Sequence, residues 1–125
     1  MKESVHKTHD DKEYFFEEGC YILEMWNTPE DDAASITRAR IRPGDATKWH
    51  RLKNIVERYV VIEGIGRVEI GDLPPREVGI GDVVVIPRNT RQRITNAGDK
   101  DLIFLCICTP RFIQADYESL ESFSL

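Results

Sequence analysis

The side chains with the most chemistry to offer lie in two glycine-bounded segments, Gly44-x5-His50-x-Leu52-x4-Glu57-x6-Gly64 and Gly81-x5-Pro87-x-Asn89-x2-Gln92-x3-Asn96. Between them they carry an imidazole, a carboxylate and an amide, groups that bind metal ions or hydrogen-bond one another. Tyr59, two residues after Glu57, points the same way as Glu57 on an extended strand and adds a phenol. Cys106 and Cys108 share a face by the same alternation. Buried, they act as small hydrophobes; alternatively, Cys106 reaches a pocket as a thiol. Arg38, Arg40 and Arg42 also share one face, either a solvated outer surface or an anion-binding wall. Arg91 and Arg93 flank Gln92 and should point away from it. His6 and His9 belong to a polar amino-terminal arm and are expected to face solvent.

The elements that must position these groups are strands. From Tyr14 to Pro110 the chain is a series of short Val-, Ile-, Tyr- and Phe-rich stretches separated by Gly, Pro, Asn and Asp, the signature of a sandwich or barrel. Strands are expected near Cys20 to Trp26, Ser35 to Arg42, Glu57 to Glu63, Gly66 to Ile70, Asp82 to Ile86, Gln92 to Asn96 and Leu102 to Cys108, with a short one near Arg76 to Val78. Thr28 to Asp32, Pro43-Gly44 and Asp72 to Pro75 contain the residues that interrupt them. Helical spacing is confined to the tail, where Ile113, Tyr117 and Leu120 predict a short helix over about 113 to 123.

Length and composition set the bounds. The 125 residues suffice for one core and predict a single domain over 1–125, with an arm over 1–13, a barrel over about 20–110 and a tail over 111–125. With 31% charged and 41% apolar residues the chain has the balance of a folded globular protein rather than of a disordered one. The net charge of −5 is spread over mixed-sign sequence without a basic stripe, which argues against nucleic acid as a partner. No apolar run approaches the ~20 residues that span a bilayer, and the stretch from Met1 to Asp11 is polar, so the expectation is a cytoplasmic protein with no membrane partner. Three cysteines, the last two spaced C-x-C, fit neither a disulfide framework nor a zinc ribbon.

Taken in order and at their separation, the two glycine-bounded segments resemble the paired motifs of the cupin superfamily. In that family the first motif reads G, five residues, H-x-H, three or four residues, E, six residues, G. The second reads G, five residues, P-x-G, two residues, H, three residues, N. The resemblance covers about Ser35 to Pro110 and includes Pro43-Gly44 and Gly81-Asp82 beside the motifs. It implies an all-β double-stranded β-helix, a jelly-roll barrel of two antiparallel sheets with a small-molecule or metal site at its mouth, commonly a homodimer.

Carried over by position, His50 takes the first histidine place and Glu57 the carboxylate place, whereas Leu52 and Gln92 stand where the family has its other two histidines. Leucine cannot ligate, and an amide oxygen is a poorer donor than imidazole toward late transition metals. The resemblance therefore implies a divalent ion (Fe, Mn, Ni, Zn or Cu) held by the reduced set His50, Glu57 and Gln92, with Tyr59 and Cys106 as substrate-binding candidates. The competing reading is a mutually hydrogen-bonded His50, Glu57 and Gln92 lining a metal-free pocket that binds a sugar-like metabolite without catalysis. Under the first reading the protein is a dioxygenase, isomerase or lyase acting on a small polar molecule; the sequence leaves the catalytic residues undefined.

Overall fold

The computed structural model describes residues 1–121. Its strands are β1 (Tyr14–Phe16), β2 (Cys20–Trp26), β3 (Ser35–Ile41), β4 (His50–Leu52), β5 (Val56–Glu63), β6 (Gly66–Ile70), β7 (Arg76–Val78), β8 (Val83–Ile86), β9 (Gln92–Asn96), β10 (Leu102–Thr109) and β11 (Tyr117–Ser119). They form a six-stranded sheet in the order β1-β2-β3-β10-β5-β8 and a five-stranded sheet in the order β11-β4-β9-β6-β7. All the strand pairings are antiparallel. The architecture is the all-β double-stranded β-helix that the motifs led us to expect.

Alternation decides what faces the space between the sheets. Along β5, Glu57, Tyr59 and Val61 are buried while Val60 and Ile62 turn outward, and along β10 Leu102, Phe104 and Cys108 are buried in the same way. The core is mostly aliphatic, built on Ile41, Val61, Ile86, Ile94 and Leu102 with the aromatic ring of Phe104.

Two motif residues turn out to be structural. Gly64 has φ +83°, and a Cβ there would lie 2.7 Å from the Asp101 carbonyl oxygen, so the β5–β6 turn can pass the start of β10 only as glycine. Asn96 is buried; its amide donates to the carbonyls of Ile41 (2.8 Å) and Lys100 (2.7 Å), and its oxygen accepts from the Gly98 N–H at 2.9 Å. One side chain thereby closes the β9–β10 loop onto β3.

The tail corrects one expectation. In place of a helix, a single 3-10 turn at Gln114–Asp116 leads into β11, which pairs with β4. Ile113 and Leu120, expected to pack on the barrel, are exposed, and only Tyr117 of the three goes inward. A helix of two or three turns gains little by itself. As a strand the same residues satisfy the open edge of β4, with the Lys53 N–H donating to Asp116 O (2.8 Å) and the Leu120 N–H to Trp49 O (2.9 Å). Residues 122–125, which include the end of the expected helix, lie outside the described ones.

The arginine row lies on the outer surface, not in the barrel. Asp10 and Glu13 of the arm pair with Arg38 (3.3 Å and 3.6 Å), Glu13 and Asp101 with Arg40 (2.7 Å and 3.1 Å), and Asp45 with Arg42 (3.2 Å). Arg91 and Arg93 also point outward, Arg93 pairing with Glu69 at 2.8 Å and lying over the Trp49 ring.

Candidate functional site

Strands from both sheets bring the expected residues together. β4 carries His50 and Leu52, and His50 sits opposite Gln92 of β9. β5 carries Glu57 and Tyr59, opposite Cys108 and Cys106 of β10. Because all these positions have inward parity, the imidazole and amide of one sheet meet the carboxyl, phenol and thiols of the other.

His50 is 2% exposed and held at both ring nitrogens. Nδ1 lies 2.6 Å from the Lys48 carbonyl oxygen, which can only accept, so Nδ1 carries a hydrogen. Nε2 lies 3.0 Å from Oε2 of Glu18, and a proton must occupy that contact too, on the imidazole or on the carboxyl. The ring lies against Tyr117, with centroids 5.3 Å apart and planes 23° from parallel. The other Glu18 oxygen accepts from the Cys20 thiol at 3.1 Å.

Gln92 is fully buried and links the next two groups. Its Nε2 donates to Glu57 Oε1 at 2.9 Å, and its carbonyl oxygen accepts from the Tyr59 hydroxyl. Burial pushes the Tyr59 phenol well above its ordinary value, so it stays a donor. Glu57 is 7% exposed. Burial, with the Glu18 carboxylate adding to it, pushes its carboxyl up to about 7 against the opposing pull of His50, Gln92 and the Cys106 thiol. Its second oxygen, Oε2, accepts from the Cys108 thiol at 3.9 Å and, among the described residues, meets no N–H or O–H donor. Both thiols are themselves pushed upward by burial and by the Glu57 charge, so they are protonated, weakly polar wall groups rather than thiolates.

These residues border an open recess. His50, Glu57 and both thiols line it, as do Glu18 and Glu24; Phe16, Phe112 and Tyr117 form an aromatic wall. Leu52, at the second histidine place, packs with Ile55, Cys108 and Phe112 and makes that part of the wall apolar. Tyr59 and Gln92 stand behind the lining, with the phenol engaged by Gln92. Cys106 does reach the recess.

The donor set does not converge as a reduced metal site would require. The Gln92 carbonyl turns toward Tyr59, and His50 Nε2 turns toward Glu18. Among the described residues no group of three or more His, Cys, Asp or Glu side chains is placed to hold a metal ion.

Two participants were absent from the sequence reading. Glu18 lies in an acidic turn ahead of Gly19, whose φ of +104° swings the chain into β2, and a carboxylate there looks like ordinary surface charge. Tyr117 was assigned to a helix. The only signal for Glu18 is its place two residues before a cysteine that begins an alternating strand.

A family model for the cupin domain matches residues 37–108, more than half of the chain. The protein is a cupin. It is 32% identical over 112 residues to an uncharacterized protein, MJ1618, of Methanocaldococcus jannaschii, an alignment spanning 88% of this cupin and 89% of that protein. Among solved structures, the nucleoside dehydratase Pac13 of Streptomyces superposes with a TM-score of 0.76 at 17% identity, covering 97% of this cupin and 95% of Pac13. KdgF from Halomonas gives 0.78 at 18%, covering 91% of this cupin and 99% of KdgF. At these identities the two superpositions show the shared barrel and nothing finer about this cupin's chemistry.

Proposed function

We propose that this cupin binds a small polar metabolite in the recess and moves a proton on it with Glu57, without a bound metal ion. The observation that carries this reading is Glu57, a buried carboxyl that lines the recess, pushed up to about 7, with one oxygen met by a thiol and by no N–H or O–H donor among the described residues. Near neutral pH such a group serves equally as acceptor and donor, which is what general acid–base chemistry asks of a side chain. Gln92 holds the carboxyl in place, and the Tyr59 hydroxyl fixes which end of the amide faces it. Pac13, solved with uridine and described as a nucleoside dehydratase, supports the reading by analogy, because a barrel of this shape accommodates a nucleoside and dehydration is proton-transfer chemistry.

The alternative site of His50, Glu57 and Gln92 around a divalent ion makes an opposite forecast. A specifically bound ion must stabilise the native state. Under the proposal, adding Mn, Fe, Ni, Cu or Zn ions, or removing metal with a chelator, shifts the melting temperature by less than about 1 °C, while a binding metabolite raises it in either buffer. A rise of several degrees with one of these ions, abolished by His50→Ala, would overturn the metal-free reading.

The proposed working form is a homodimer in the cytoplasm. The outer surface of the six-stranded sheet supports the first part. Val83 and Val85 of β8 are 58% and 59% exposed; Val83 lies opposite Val60 of β5, itself opposite Leu105 of β10, while Val85 lies opposite Arg58, itself opposite Ile107. An exposed aliphatic row of this kind, interrupted by the Arg58 side chain, is a surface that isologous interfaces bury. Val85→Glu is expected to convert a dimer to a monomer in light scattering with the melting profile otherwise cooperative; a parent that is already monomeric at micromolar concentration refutes the dimer. Three free cysteines support a reducing compartment, and no helix of the described residues is long and apolar enough to cross a membrane.

A further inference from the structure

The recess has a one-sided charge. Glu18, Glu24 and Glu57 line it, and no lysine or arginine does. Its one basic group, His50, is already engaged at both nitrogens, by the Lys48 carbonyl and by Glu18. Every arginine of the nearby β3 row points to the opposite surface of the sheet and is paired there. An anionic ligand would therefore meet carboxylates with no cation to neutralise it. The second feature is the Glu57 Oε2 atom, on a side chain more than nine-tenths buried, with no N–H or O–H donor in contact. A buried carboxylate oxygen on a recess-lining side chain, met only by the long thiol contact, calls for a ligand that brings a stronger donor. The third is the wall, in which Phe16 stands edge-on to Tyr117 at 5.3 Å, with Phe112 and Tyr14 also lining the space. Flat rings and protonated amines both gain from such a surface.

We infer that the ligand of this recess is a ring compound without an anionic group that presents an N–H, O–H or ammonium donor to Glu57, so that phosphorylated and carboxylated metabolites are excluded. This rests on the proposed metabolite-binding role of the recess and narrows it to a ligand class. Nucleosides and aromatic amines share the required chemistry, whereas nucleotides and aromatic acids of the same size do not. Glu24, at the exposed edge of the recess and opposite Thr37 in the β2–β3 pairing, extends the acidic surface to the entrance.

The test is calorimetric titration of the full chain, in metal-free buffer near neutral pH, with probes matched in shape and differing in charge: cytidine against cytidine 5′-monophosphate, and tyramine against 4-hydroxyphenylacetate. The uncharged or cationic member of a pair is expected to bind at least about tenfold tighter than its anionic partner, the size of an unscreened like-charge contact at a partly buried site. Glu24→Lys should narrow the gap to about threefold or less by supplying a cation at the mouth. Equal or tighter binding of the anionic member, or a gap that Glu24→Lys leaves unchanged, overturns the inference while the binding role of the recess stands. Binding of the preferred probe that appears only after a divalent ion is added overturns the metal-free reading and leaves the ligand class intact. Failure of all four probes to bind at millimolar concentration overturns the ligand class.

Discussion

Glu57→Gln is expected to stabilise the protein, and to do so increasingly as the pH rises. Burial is the first cause of the high carboxyl value of about 7 and the Glu18 charge the second, against an ordinary 4.5. A carboxyl raised on folding holds its proton more tightly in the native state. Its stabilising contribution is complete below the unfolded value and is lost as the pH rises through about 7. The glutamine variant has no proton to lose, and its carbonyl can still accept from the Gln92 amide. Its advantage over the parent should grow from under ~1 kcal/mol near pH 5 to roughly 3 kcal/mol near pH 8. Urea denaturation of both proteins across that range checks this, and a difference that stays flat with pH shows that folding does not raise the Glu57 carboxyl. The same variant should abolish proton transfer on any bound metabolite. A carboxylate placed where it costs stability fits a functional role better than a structural one.

The frame was readable and the pocket was only half readable, for a physical reason. A strand's burial pattern is local, so alternation around Val61, Ile94 and Phe104 placed most of the strands within a residue or two. The inward parity of His50, Glu57 and Gln92 followed from the same rule. Parity says which wall a side chain belongs to, but not which partner its atoms choose. The Gln92 amide orientation is set by the Tyr59 hydroxyl and the Glu57 carboxylate together, and neither spacing nor composition records that choice. Glu18 comes from a turn at the far end of the sequence from Gln92, so its meeting with His50 is a product of the closed barrel. β1, β4 and β11 were missed because three-residue strands have too few positions to show alternation, whereas the equally short β7 stands out between Pro75 and Gly79. Tyr117 is the clearest case: its spacing from Ile113 and Leu120 reads as helix, yet the open edge of β4 and the His50 ring recruit it as strand.

That contact between His50 and its surroundings leads to the other large expected effect. His50→Ala, in buffer stripped of metal, is expected to cost about 3 kcal/mol and about 10 °C in melting temperature. The substitution leaves the Lys48 carbonyl without its donor, removes the proton partner of Glu18, and takes away the ring against which Tyr117 packs. Glu18 keeps a little access to water, which holds the loss toward the lower end for a broken buried pair. Part of the cost belongs to the stranded carboxylate and not to the histidine itself, so a double-mutant cycle separates the two. Adding Glu18→Gln to His50→Ala should recover about 1–2 kcal/mol relative to the sum of the single changes. Strict additivity would mean that the 3.0 Å contact contributes nothing and that His50 is free to serve as a ligand. A coupled pair in metal-free buffer instead ties the imidazole to a carboxylate in the resting protein, leaving Glu57 as the recess group with an oxygen available to meet a substrate.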